Sequence, residues 1–340
     1  MAVLQMHQTT LWKVSGTRQN KKVFKKMKTN DFINSLCNNL MQAPLAGYTD
    51  VGFRYLCAKY NCGLIVSEMV SAMSLKQKNK VAFDMLGVEL PCGTKSKVAV
   101  QLFGHDPNVF AEVVKYDEIQ NFDAIDINMG CPVPKVTRNG EGSALMLDLK
   151  KASAIIEACV KNSGKPVSVK FRKGYTDNNV NAVEFAKMCQ DSGACLITVH
   201  GRTKEQMYSG VADWDIIGQV VNAVDIPVYA NGDVKTKEDV DKVIEQTGAF
   251  GVAIGRGSGG KPWLFAELSG QQVDVKPFED IKTHYQLMLK HLPAHVVAGE
   301  MKKHIGAYLK GKRGVKPLLN EVFKTKTVDE QLALLEKYFM

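Results

Sequence analysis

No apolar run in this 340-residue sequence approaches the eighteen or more residues that cross a bilayer, and no signal-peptide pattern opens it. A soluble chain working in the cytoplasm, with no membrane partner, is the expectation. The eight cysteines, at positions 37, 57, 62, 92, 131, 159, 189 and 195, include no C-x-x-C pair, and a chain of this length needs no covalent staples. Disulfides and a zinc site are not expected, nor any other metal. The stretch GRGSGGKP, residues 255–262, approaches a nucleoside-triphosphate loop, but Pro262 stands where that loop requires a Ser or Thr hydroxyl for magnesium. A different phosphate ligand remains compatible with those glycines.

Acidic residues are absent from the first thirty positions. Lys13, Arg18, Lys21, Lys22, Lys25, Lys26 and Lys28 there supply +7 of the net +9, leaving +2 for the remainder. A second basic concentration, Lys302, Lys303, Lys310, Lys312, Arg313 and Lys316 against Glu300 alone, lies near the C-terminus. Such clusters suit a polyanion, although a basic face is more often merely solvated, and charge alone does not choose between the two.

What the sequence does have is a repeated unit. Eight short apolar runs each end in polar or glycine residues and lead into an amphipathic stretch: residues 40–47, 64–69, 97–104, 124–130, 166–172, 196–202, 226–233 and 250–257. Continuously apolar strands alternating with helices imply parallel pairing with both faces buried. Eight units in about 240 residues match an α/β fold of the closed (β/α)₈ barrel type, which takes about 250. An open doubly wound sheet is the alternative. After about residue 275 strands give way to helical periodicity in THYQLMLKHL and GEMKKHIGAYLKG. Three segments are therefore expected: a disordered basic extension over 1–30, a barrel over 31–272 and a small helical domain over 275–340.

In a parallel barrel the chemistry gathers where the strands end, so the polar residues closing each run are the candidates. Lys170 follows the apolar VSV, and an ammonium on an interior strand needs an anionic or carbonyl partner to offset its desolvation. The glycines of NGD (231–233) and GRG (255–257) leave backbone N–H groups open to a phosphate. Cys159, Cys189 and Cys195 sit in apolar surroundings as small buried hydrophobes, whereas Cys131 lies between a glycine and a proline just past a strand.

The motifs APLAGYTDVGFR, VQLFG, DINMGCPVPKV, VSVKFR, TVHGRT, YANGDV and IGRGSGGKPWLF occur in the order and spacing of the tRNA-dihydrouridine synthases, and the chain most resembles the bacterial branch over roughly residues 40–325. The resemblance implies a flavin barrel with an RNA-binding helical domain, FMN as cofactor, NADPH or NADH as reductant, and tRNA as substrate, with a monomer expected. It implies that Cys131 is the general acid, on a mobile loop facing the flavin. Pro44, Leu45 and Ala46 resemble the wall beside the isoalloxazine, and Gln101 and Lys170 its pyrimidine-edge partners, Lys170 with His200 close by being expected to stabilise the negative charge of the reduced flavin. Asn231, Gly232, Asp233, Gly255 and Arg256 resemble the ribityl and phosphate end. Asn128 is expected to orient the uracil, with Lys135, Arg172 and Arg202 touching RNA. Lys302, Lys303, Lys310 and Arg313 are the expected phosphate contacts of the helical domain. Glu141, standing between two glycines, departs from the pattern and adds negative charge near the Cys131 loop. Two rivals are a small-molecule FMN dehydrogenase of the dihydroorotate type and a non-catalytic tRNA-binding chaperone.

Overall fold

The computed structural model describes residues 31–340; the expectation for residues 1–30 falls outside them. Residues 36–340 form one compact unit. Its centre is a parallel barrel of β1 (Leu40–Gln42), β2 (Leu64–Ser71), β3 (Lys97–Phe103), β4 (Ala124–Met129) and β5 (Val167–Thr176). The ring continues, beyond the two-residue β6 (Asn179–Val180), through β7 (Leu196–Thr203), β8 (Val228–Asn231) and β9 (Gly251–Ile254). Neighbours run β4-β3-β2-β1-β9-β8-β7-β5, and pairing of β4 with β5 closes the ring. The closure removes the sheet edges. β6 folds back antiparallel onto the far end of β5 and lies outside the ring.

Runs such as Val98–Leu102 and Leu196–Val199 are buried throughout because helices cover one face and the barrel interior the other. Two strand pairs within the ring lose register, β2–β3 between Val66 and Met69 and β5–β7 between Arg172 and Gly174. Both irregularities lie toward the rim, where a bulge re-aims side chains.

Four helices follow the barrel: Pro277–His291, Ala294–Tyr308, Val315–Lys324 and Val328–Phe339. The two periodic stretches seen in the sequence are the first pair; Gly311 and Gly314, both at positive φ, punctuate the turn before the second. Ile281, Met288, Val297, Met301, Ile305, Val322 and Leu335 make a second apolar core, and Leu56 of the barrel helix Val51–Lys59 belongs to it. Polar contacts reinforce that junction. Asp280 is fully buried and accepts from Lys59 Nζ and Tyr60 Oη, each at 2.6 Å. Asp50 caps the Val51–Lys59 helix, and its two carboxylate oxygens lie 2.8 Å from Nε2 of His284 and Nε2 of His304. Each histidine comes from a different C-terminal helix. Among the described residues no helix is long and apolar enough to cross a membrane.

Candidate functional site

The C-terminal ends of the barrel strands open into a cavity of about 1320 Å³. Pro44, Leu45 and Ala46 form one wall after β1; Gln101 and Asn128 rise from β3 and β4. Cys131 follows β4, Lys170 and Arg172 stand on β5, His200 on β7, and Asn231–Asp233 close β8. Gly255 and Arg256 close β9, and Lys303 and Lys310 of the helical segment reach the mouth. Register explains much of this assembly: Asn128 pairs with Lys170, Lys170 with Thr198, and His200 with Asn231 on adjacent strands.

The loop carrying Cys131 is fastened at its backbone. Asn128 Oδ1 accepts from Gly130 N at 3.2 Å and from Cys131 N at 2.9 Å. Arg172 Nε donates to Gly130 O at 2.7 Å, and Ser143 N donates to Cys131 O at 3.0 Å. The expected mobile loop is thus a tethered one. Gly142, at φ 58°, lies so close that a Cβ there would meet Cys131 O at 2.9 Å. Burial raises the Cys131 thiol, against the Val133 N–H and the charges of Arg172 and Lys170. The thiol is protonated at neutral pH.

Lys170 Nζ donates to Asn231 Oδ1 at 2.9 Å and has no ion pair among the described residues. Its side chain is in part exposed to the cavity but otherwise enclosed by protein. Burial, then the nearby Arg172, bring its ammonium down to about 8. His200 is held well below the ordinary imidazole value by burial and by Lys170, so its ring is neutral at pH 7. Gln101 and Asn128 join in a chain: Gln101 Nε2 donates to Asp126 Oδ2 at 2.6 Å, and Asn128 Nδ2 donates to Gln101 Oε1 at 2.8 Å. Burial raises the Asp126 carboxyl, opposed by its bonds from Gln101 and Ser168.

At the β8 end, Gly232 adopts φ 128° and Asp233 φ 61°. A Cβ on Gly232 would stand 2.5 Å from the Ala212 side chain, so only glycine fits. Asp233 accepts from Arg202 Nη2 at 2.7 Å and from Ala212 N at 2.8 Å, and its other oxygen lies 3.9 Å from Arg256. Its carboxylate therefore holds arginines, and both Gly232 and Asp233 line the cavity.

Several expected RNA contacts need correction. Arg202 is 2% exposed and donates to Ser209 O, Gly210 O and Asp233. Burial removes it from a polymer's reach; it braces the 204–213 loop. Arg172 is 3% exposed and donates to Gly130 O, Thr203 O and Met207 O, so it binds protein loops from the cavity floor. Lys302 turns away from the mouth, its Nζ donating to Phe323 O and Thr325 O beside the C-terminal end of the Val315–Lys324 helix. Lys135, on the Pro134–Thr137 helix, and Arg313 lie outside the cavity lining but are exposed, so nothing in the structure withdraws them from a polymer. Asn128 spends both ends of its amide on protein. Glu141 is buried against His105 Nδ1 at 3.2 Å, which takes its charge off the surface.

Other residues at the mouth escaped the sequence reading. Lys235 and Lys261 line it, together with Lys312 of the basic concentration already noted; Lys261 is paired with Glu267, while Lys235 and Lys312, like Lys310, have no ion pair among the described residues. Lys303 pairs with Glu300 and lies over the Tyr48 ring. Tyr208, half exposed, has the guanidinium of Arg256 4.7 Å and that of Arg172 5.8 Å from its ring centre. A lone tyrosine in a polar turn gives no sequence signal of this.

A family model described as dihydrouridine synthase (Dus) matches residues 41–340, which spans the barrel and all four C-terminal helices. The chain belongs to the dihydrouridine synthase family. A probable tRNA-dihydrouridine synthase of Rickettsia conorii is 37% identical over 306 residues, covering 86% of this chain and 92% of that protein. The tRNA-dihydrouridine synthase B of Vibrio parahaemolyticus is 37% identical over 316 residues, covering 89% and 96%, and that of Pseudomonas aeruginosa 34% over 322, covering 90% and 94%. Among solved structures, a histamine dehydrogenase from a Rhizobium superposes with a TM-score of 0.55 at 11% identity, covering 74% of this chain and 49% of that one. At that identity it bears on the barrel fold alone. As a member of the dihydrouridine synthase family the chain is an oxidoreductase acting on uridine in tRNA.

Proposed function

We propose that the chain reduces the C5=C6 bond of D-loop uridines in tRNA, with FMN as its bound cofactor and NADPH or NADH as the source of electrons. The observation that carries this reading is the pairing, in one cavity, of an enclosed lysine ammonium lacking an ion pair with a protonated thiol on a tethered loop.

The residues present fit a flavin. Lys170 offers a positive charge whose one hydrogen-bond partner is a neutral amide, as a group meant for an anionic ring edge would. Pro44 to Ala46 would wall the ring and Gln101 would meet its pyrimidine edge. The N–H groups of Gly232 and Asp233, with Gly255 and Arg256, would take the ribityl and phosphate end. When bound, the flavin supplies the hydride that goes to C6.

The protein's own part is the proton. Cys131 holds it on Sγ, delivers it to C5 and regains one from solvent, so one hydride and one proton account for the saturated bond. The neutral ring of His200 adds no second charge beside Lys170, and the tethers of Asn128 and Arg172 keep the thiol aimed. Lys235, Lys310 and Lys312, with Lys303, would hold tRNA phosphates at the mouth. The base must leave its stack to enter, a cost of a few kcal/mol that those contacts offset.

The experiment is a pair of half-reactions on purified protein. The expected results are a flavin spectrum, bleaching by NADPH, and dihydrouridine in unmodified tRNA after one turnover. Cys131→Ala is expected to keep the bleaching and lose the tRNA product. Equal loss of both half-reactions would make Cys131 structural, and reduction of free pyrimidines in preference to tRNA would overturn the substrate.

A further inference from the structure

The buried side chains behind Cys131 form a line whose hydrogen bonds converge on Asp126, from the Cys131 loop on one side and from Ser168 on the other. Ser168 Oγ donates to Asp126 Oδ1 at 2.6 Å, and Gln101 Nε2 donates to Asp126 Oδ2 at 2.6 Å. Asn128 Nδ2 donates to Gln101 Oε1 at 2.8 Å. Gly130 N and Cys131 N donate to Asn128 Oδ1. Asp126 and Gln101 are 2% and 1% exposed, so water does not readily substitute for a missing partner.

The two ends of this line are fixed by chemistry. A carboxylate only accepts, and a backbone N–H only donates. The two amides between them could each turn over, exchanging oxygen for nitrogen. If Gln101 turned, its oxygen would face the Asp126 carboxylate. If Asn128 turned, its NH₂ would face two N–H donors. One orientation of both amides satisfies both ends, and it presents an acceptor to the Cys131 backbone. A network serving only to pair β3 with β4 would stop at Gln101; this one continues beyond the strand end into the loop.

We propose that Asp126 is a positioning residue which, acting through the amides of Gln101 and Asn128, fixes the backbone of Gly130 and Cys131 and thereby the aim of the thiol. For its catalytic consequence the inference rests on the proposed role of Cys131; its structural half stands without that role.

Three variants test it: Asp126→Leu, Gln101→Leu, and the relocated pair Asp126→Asn with Gln101→Glu. In the pair, the carboxylate moves to position 101 and becomes the acceptor for both neighbours. The new amide at position 126 donates to it and still accepts from Ser168, and Asn128 keeps its orientation. The first readout is amide hydrogen exchange of the peptide spanning 129–133, compared with peptides from β7 and β8. The second is the ratio of dihydrouridine formation to NADPH-driven flavin bleaching. Each leucine variant is expected to speed exchange at Gly130 and Cys131 at least tenfold, with β7 and β8 unchanged. The relocated pair should return exchange to within about threefold of the parent. Asp126→Leu should lower dihydrouridine formation tenfold or more while bleaching changes less than threefold.

Parent-like exchange in Asp126→Leu, or exchange in the relocated pair as fast as in the leucine variants, would overturn the proposal. Should Asp126→Leu fail to fold, Gln101→Leu against the relocated pair decides by the same exchange criterion. Failure of the Cys131 reading shows separately, as a Cys131→Ala enzyme that still makes dihydrouridine.

Discussion

Replacing Lys170 with methionine puts a number on the enclosed ammonium. The side chain keeps its length and loses its charge. Burial brings the Lys170 ammonium to about 8 from an ordinary 10.5, and that difference of about 2.5, at about 1.4 kcal/mol per unit, corresponds to roughly 3 kcal/mol. Cavity water reaches the group in the flavin-free protein, so the expected effect is smaller, about 1 to 2 kcal/mol. The sign follows from proton binding. Between pH 8 and 10.5 the unfolded chain keeps the lysine proton that the folded chain has released, so parent stability rises with pH in that window relative to the variant. Urea denaturation of flavin-free parent and Lys170→Met protein at pH 7.5, 9 and 10 gives the difference directly, and subtraction removes every other titrating group. A difference that stays flat, or moves toward the variant as pH rises, would refute the claim that this ammonium is held against its solvation. In flavin-loaded protein the slope should shrink, because an anionic ring edge restores the charged form.

Alanine at Lys235, Lys310 and Lys312 together should weaken tRNA binding and flatten its salt dependence by roughly 0.7 to 0.9 units per contact, read from a salt titration. Lys302→Ala should leave that slope unchanged and instead lower stability by about 1 kcal/mol, because its ammonium serves the carbonyls of Phe323 and Thr325. Asp50→Asn should destabilise the chain by roughly 3 kcal/mol in denaturant melts, since two buried histidines lose a shared carboxylate. Burial opposes the Asp50 charge, but His284 and His304 hold its carboxyl well below 3.8; its contribution is therefore present above that value and is lost as pH falls through the depressed one. Gly232→Ala, forced against the Ala212 side chain at positive φ, should cost about 1 to 3 kcal/mol in the same assay.

The barrel was legible because strands buried on both faces must be apolar along their whole length, and all eight runs contain a strand. Their ends were less so. The first run, read through Gly47, is a strand only over Leu40–Gln42, and APLAG beyond it is the cavity wall. Lys170 and Cys131 could be placed at the cavity from position, since strand ends line the mouth of a parallel barrel, while the role expected of Cys131 came from the family resemblance. Arg202 could not, because a guanidinium does not announce its partner, and Asp233 lies thirty-one positions away. The basic helix shows the same limit: Lys302 and Lys303 are about 100° apart around the axis, and only the packed helices reveal that 303 faces the mouth. The contact of Asp50 with His284 spans 234 positions and has no local signature.

That last contact bears on protein engineering. A swap of the C-terminal helices between relatives, meant to redirect which tRNA is chosen, would also exchange the two imidazoles that lie against a barrel carboxylate. Gly260 adds a steric condition, because a Cβ there would fall 2.2 Å from the Ala307 carbonyl carbon. A workable chimera must therefore carry Asp50, His284, His304 and a side-chain-free position 260 as one inherited set, with the crossover placed outside it. A junction drawn at the end of the last strand would divide that set and leave a carboxylate without its two imidazole partners.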